Sequence, residues 1–232
     1  MISAEAMDHS KIEKQARLVQ YEIWHNRKAL FPLGVPSPQA MFEPEVAARA
    51  LGVEYACHSE LGRFGQGGDR FEIAGMLDRN RGIIAVSTRF DYPARRFTGA
   101  HEIGHYVMHT GEVMHRDRPV FDTYGLPRPP QEREADYFAA CFLAPRKLVE
   151  EEFRPRFIQN PPLPLTDAVA WNLLGECSHE LFGPSAGSLD FAAAVAGATS
   201  FNGKHFRSLA DVFGLSISAM AIRLQELGLV AE

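Results

Sequence analysis

The sequence predicts an α+β fold: helices packed with a small antiparallel or mixed sheet, followed by a helical C-terminal region. Three observations carry this. Apolar residues near the N-terminus, Ile12, Ala16, Val19 and Ile23, recur at the spacing of one helix face. A strand-like stretch and a hairpin-like pair then crowd into residues 53–87. Beyond them lie two strongly patterned helices, and after the linker PPLPL at 161–165 everything reads as helical. That linker divides the chain into a first domain, residues 1–160, and a helical region, residues 161–232.

Taken in order, the first helix runs from Lys11 to about Leu30 and is broken by FPLGVPSPQ at 31–39. EPEVAARALG is a short helix, with Pro44 near its first turn and Gly52 at its end. VEYACH at 53–58 reads as a strand, and LGRFGQGGD as a glycine-rich loop without the pattern of a phosphate cradle. FEIAGML and GIIAVS, 71–77 and 82–87, flank DRNR as a hairpin. A helix beginning near Asp91 or Tyr92, with Pro93 in its first turn, carries ARRFTGAHEIGHYVMH to about Thr110–Gly111. After a loop to Pro130, QEREADYFAACFLA forms the next helix, which Pro145 ends or kinks.

Composition sets bounds on function. The 232 residues are 46% hydrophobic and 23% charged, as expected of a globular protein with a real core. A formal net charge of −5 speaks against a general nucleic-acid binder, which needs a basic face. Cys57, Cys141 and Cys177 are odd in number and form no C-x-x-C pair, which fits free thiols in a reducing compartment. MISAEAMDHSKIEK lacks the apolar core of a secretion signal, and FAAAVAGA at 191–198 is too short to span a bilayer. The expectation is a cytoplasmic protein that makes no membrane contact.

HEIGHYVMH, residues 101–109, carries the chemistry. A step of four residues leaves His101 and His105 about 40° apart and roughly 6 Å along a helix axis. Two imidazoles so placed can converge on one ion, and Glu102 beside them reaches a water on that ion as a general base. The competing reading is a buried helix with incidental histidines. A zinc hydrolase usually has three protein ligands and one open position. The extended pattern HExxHxxGxxH would need glycine at 108 and histidine at 111, where this chain has Met108 and Gly111. His109 lies about 12 Å along the axis from His101, too far to share an ion with bonds of about 2 Å. It reads as a packing or outer-shell group at the helix end.

The third ligand is sought downstream. His115 is sterically open to the role, but EREADYFAACFLAP offers a better-placed carboxylate. Glu132 and Asp136 are four apart on one helix face. Glu132 suits the metal, and Asp136 suits the far nitrogen of a ligating histidine, whose orientation it would fix. Glu134, about 200° around the helix from Glu132, should point elsewhere. Alone, this pattern also reads as a solvated acidic first turn.

RRFTGAHEIGHYVMH followed by EREADYFAACFLAP resembles the paired motifs of the ImmA/IrrE metallopeptidases. The resemblance spans roughly Phe71 to Leu229, the tail SLADVFGLSISAMAIRLQELGLV included. It departs from the family pattern at Asp136, where asparagine is frequent; either side chain accepts a histidine N–H. It implies a zincin-like catalytic domain with His101, His105 and Glu132 as zinc ligands and Glu102 as catalytic base. Manganese or iron suits the same ligands. The implied substrate is a protein, a helix-turn-helix transcriptional repressor whose cleavage switches on stress or mobile-element genes.

For the oxyanion, Tyr106, Tyr124, His115 and His179 are all chemically suitable donors. A hairpin strand is expected to offer its edge to the substrate backbone, and GRFGQGGD at 62–69 to act as a flap or a plain surface loop. Residues 205–229 look like a helix-turn-helix, with Gly214 at the turn and a second helix from Ser216. Arg207 and Arg223 there are offset by Asp211 and Glu226, so packing or substrate docking is favoured over direct DNA binding. Two classes of function stand: a zinc endopeptidase acting on a regulator, and a non-proteolytic regulator that uses the zinc site as a sensor. An intact Glu102 favours the first, since a pure binding site needs no base.

Overall fold

The computed structural model describes residues 7–64, 71–111, 114–117, 129–157, 160–183 and 189–231. They divide into two compact units, Met1–Leu143 and Ala144–Glu232.

In the first unit, α1 (His9–His25) is capped by the Asp8 carboxylate, which accepts from the Lys11 amide at 3.0 Å. It buries Ile12, Ala16, Val19 and Ile23, the stripe expected from their spacing. The expected single helix to Leu30 breaks at Asn26, and α2 (Arg27–Leu30) is a separate turn. Short helices α3 (Pro38–Met41) and α4 (Pro44–Ala50) follow, each with proline in its first turn.

The strands are β1 (Glu54–His58), β2 (Arg63–Phe64), β3 (Phe71–Glu72), β4 (Gly75–Asp78), β5 (Ile83–Ser87) and β6 (Met114–Asp117). The main sheet has the order β1-β5-β4-β6; β1 is parallel to β5 and the other two pairings are antiparallel, so the sheet is mixed. β2 and β3 form a separate antiparallel pair. β4–β5 is the expected hairpin. Its edge is not open to a substrate as expected, because β4 pairs with β6 along its whole length and β5 with β1. The outer strands are β1 and β6.

Two long helices complete this unit, α5 (Tyr92–Met108) and α6 (Pro130–Leu143). On α5 every residue from Thr98 to His105 is buried, because sheet and helices cover it on several sides. α6 is nearly as apolar: Ala135, Phe138, Ala139, Phe142 and Leu143 are all at 0% exposure. Burying each phenylalanine there contributes roughly 1.5–3 kcal/mol. α6 is held to α1 by polar contacts too. The Gln20 amide donates to the Cys141 and Phe142 carbonyls at 3.0 Å, and the Tyr137 hydroxyl donates to Glu13 at 2.9 Å.

The second unit holds α7 (Arg146–Phe157), α8 (Asp167–Leu174), a 3-10 helix (Gly175–Phe182) and α9 (Asp190–Gly197). A two-stranded ribbon follows, β7 (Ser200–Phe201) and β8 (Lys204–His205), then α10 (Leu209–Phe213) and α11 (Ile217–Glu226). The ribbon departs from the all-helical expectation for this region. Strands of two residues are too short to show alternation, but Asn202-Gly203, both at positive φ, is the hairpin-turn dipeptide that marks it. Phe157 centres an aromatic cluster with Phe153, Phe201 and Phe206. The helix-turn-helix-like segment has the local geometry expected. Ser208 and Ser216 cap the two helices, and Gly214 turns between them at φ 56°. No helix among the described residues is long and apolar enough to cross a membrane.

Candidate metal centre

The position of α5 is set at both ends. Asp91 caps its start, accepting from the Ala94 amide at 2.9 Å, and Pro93 pre-sets the first turn. The buried Arg96 guanidinium donates to the Glu43 carboxylate and the Phe42 carbonyl, each at 2.9 Å, tying α5 to the α3–α4 junction. Tyr55 of β1 lies against Gly99, and burial pushes its hydroxyl well above the usual phenol range, so it stays neutral. At the C-terminal end, Arg79 from the β4–β5 turn donates to the carbonyls of His105 (2.5 Å) and His109 (2.8 Å). A cation bonding the last carbonyls satisfies groups that a helix leaves open and complements its dipole.

Two close approaches then aim the side chains. At Gly104 a Cβ would come within 3.0 Å of the Phe138 ring and 3.3 Å of Ala135 Cα, so the absence of a side chain lets α6 lie directly on α5. This brings the head of α6, with Glu132 and Asp136, over the histidine face. At Gly75 a Cβ would stand 2.5 Å from Glu102 Oε1 and from Thr98, so bare backbone of β4 roofs the Glu102 carboxylate. Gly75 and Arg79 escaped the sequence reading, because both act across the fold and neither belongs to a motif.

His101, Glu102 and His105 are essentially fully buried, and Glu132 is partly exposed. His101 Nε2 and His105 Nε2 stand 3.0 Å apart. Each lies 3.4 Å from one oxygen of Glu132, Oε2 for His101 and Oε1 for His105. One donor atom from each of the three residues lies within 4.8 Å of the others. A tetrahedral zinc with bonds of about 2.0–2.1 Å has ligand–ligand edges of roughly 3.3 Å. The observed separations match that figure.

Hydrogen bonding around the cluster points the same way. His101 Nδ1 is 2.9 Å from Asp136 Oδ1, which places the His101 proton on Nδ1 and turns the Nε2 lone pair inward. Two nitrogen lone pairs and a carboxylate then face one small volume. That is a donor set for a divalent cation, and the residues fit one.

The other candidates divide clearly. His109 is outside the cluster: its Nδ1 contacts His105 Nδ1, on the side away from Glu132, at 2.9 Å. Glu134 does point elsewhere than the cluster, and it reaches His109 Nε2 at 2.9 Å. His115 is in β6, opposite Leu77; its side chain lies outside the described residues, as does all of Tyr124. Tyr106 lies under the Arg79 guanidinium, 5.2 Å from its ring centre. His179 belongs to the second unit, its Nδ1 3.0 Å from the Glu176 carbonyl oxygen. Most of the expected flap, from residue 65 onward, also lies outside the described residues.

Residues 56–159 match the family model of the IrrE N-terminal-like domain, peptidase family M78. Over that stretch the chain is similar to an IrrE N-terminal-like domain. The matched stretch runs from β1 through α7 and contains every residue of the cluster. The resemblance read from HEIGH and EREAD therefore holds, over a span that starts earlier than Phe71 and stops well short of Leu229. No curated protein sequence matches the chain. The domain assigns the protein a metallopeptidase-type function in general terms, and the cluster is its candidate metal site.

Proposed function

We propose that the protein is a zinc-dependent endopeptidase, with His101, His105 and Glu132 as metal ligands and Glu102 as general base. Its substrate is a helix-turn-helix transcriptional repressor encoded nearby, whose cleavage derepresses stress or mobile-element genes. The observation that carries the catalytic reading is the convergence of three donor atoms beside a fully buried glutamate. A binding site alone has no use for that glutamate.

Zinc held there would supply Lewis acidity, lowering the pKa of water and polarising a carbonyl. The chain supplies the rest. Glu102, under the β4 backbone at Gly75, accepts the proton of the attacking water and returns it to the leaving amine. Asp136 holds the His101 ring in the tautomer that presents Nε2 inward. Burial of the histidine pair limits competing water around the reacting groups.

The test is incubation of the purified protein with the repressor encoded beside it. Wild type should cut the repressor, a chelator should stop the cutting, and Glu102→Gln should lower the rate roughly 10²–10⁴-fold. Cleavage by Glu102→Gln at the wild-type rate would overturn the mechanism. If nothing is cut while zinc changes protein or DNA binding, the regulatory sensor reading takes its place.

A further inference from the structure

We infer that His109 and Glu134 are a positioning pair for His105, forming a two-residue hydrogen-bond relay that holds the second histidine ligand as Asp136 holds the first. The inference rests on reading His101, His105 and Glu132 as metal ligands.

Geometry and tautomer chemistry carry it together. An imidazole that gives its Nε2 lone pair to a metal keeps its proton on Nδ1. His105 Nε2 faces Glu132, so His105 Nδ1–H is the donor toward His109 Nδ1, 2.9 Å away. A His109 ring that accepts on Nδ1 carries its own proton on Nε2. That nitrogen faces Glu134 Oε2, again at 2.9 Å. Every donor in the series meets an acceptor, and the direction is set by the metal end. A ring anchored by a carboxylate is a better-fixed acceptor than a mobile water would be.

The relay is also held rigidly. His109 ends α5, its amide donates to the His105 carbonyl at 2.9 Å, and its ring is buried. Arg79 grips the His105 and His109 carbonyls together, fixing the two residues one helical turn apart. The two ligating histidines are thus supported unequally: His101 meets a carboxylate directly, and His105 meets one through a second imidazole.

The experiment measures zinc affinity of the full chain by competition with a chromophoric chelator, and the visible spectrum with cobalt(II) in place of zinc. Three variants are compared with wild type. His109→Leu keeps bulk but removes the acceptor, His109→Asn keeps an acceptor oxygen close to Nδ1, and Glu134→Gln removes only the terminal charge. His109→Leu should bind zinc roughly 10–100-fold more weakly, with a shifted cobalt band. His109→Asn should recover most of that affinity, a rescue that mere packing would not give. Glu134→Gln, at a partly exposed site, should lose severalfold without loss of fold. Wild-type affinity and spectrum in both His109→Leu and Glu134→Gln would overturn the relay. A wild-type protein that holds neither metal would instead overturn the ligand reading beneath it.

Discussion

Helices α5 and α11 both bury polar side chains that the sequence marks as candidates for function, and they put them to opposite uses. On α5, His101, Glu102 and His105 are buried, the two histidines with their Nε2 atoms turned toward one another and toward Glu132. On α11 the buried group is Arg223, and its guanidinium donates to the Ala144 carbonyl and the Glu226 carboxylate, each at 3.0 Å. Burying a polar group is costly unless it is paired. Arg223 is paired from within its own unit, so its burial stabilises and asks for nothing more. The α5 cluster gathers lone pairs and carboxylate oxygens, a set completed by a cation. Arg207, the other cation of the helix-turn-helix-like segment, donates to the Asp211 carbonyl at 2.9 Å. Both arginines are thus engaged with oxygens of the chain itself.

Substitutions around the two helices test the contrast directly. The largest effect belongs to Glu132→Ala: dialysed protein should lose its stoichiometric metal and its peptidase activity together, while its circular dichroism stays native. Elemental analysis decides this, and full metal retention would return Glu132 to the status of an acidic first-turn residue. Next comes Gly75→Ala, whose new Cβ would collide with the Glu102 carboxylate. It should lower the cleavage rate by up to about 10²-fold with metal content intact, because displacing the proposed base by an ångström is enough.

Arg223→Met tests the other side. It should cost about 1–3 kcal/mol in chemical denaturation, from the unmet Ala144 and Glu226 acceptors, while metal content is unchanged. Smallest is Gly214→Ala, which forces a Cβ into a left-handed turn at φ 56° and should cost about 1 kcal/mol by the same measurement. Activity changes confined to the first pair and stability changes to the second would establish the contrast; a catalytic defect in Arg223→Met would remove it.

Much of the site was legible in the sequence because helix geometry is local. The four-residue step in HEIGH puts His101 and His105 on one face wherever the helix lies, and the same step pairs Glu132 with Asp136. The caps and breaks of α5, α10 and α11 were legible for the same reason: Asp91, Ser216 and Gly214 act on backbone within a turn of themselves. The partner of Glu134 was not legible, since helical phase says only that it leaves the Glu132 face. Nothing local says that it meets His109, 25 positions away in the chain.

Local sequence thus set which residues share a helix face, the caps and breaks of α5, α10 and α11, and the combination of α and β elements before the linker, though not the break of the first helix at Asn26. Tertiary structure decided the rest. It closed the β4 edge with β6, seated α6 on Gly104, roofed Glu102 with Gly75, and carried the support of His105 through His109 to Glu134. The physical reason is range. Spacing and capping are enforced within a turn or two of backbone, whereas contact across elements depends on how their packed surfaces meet.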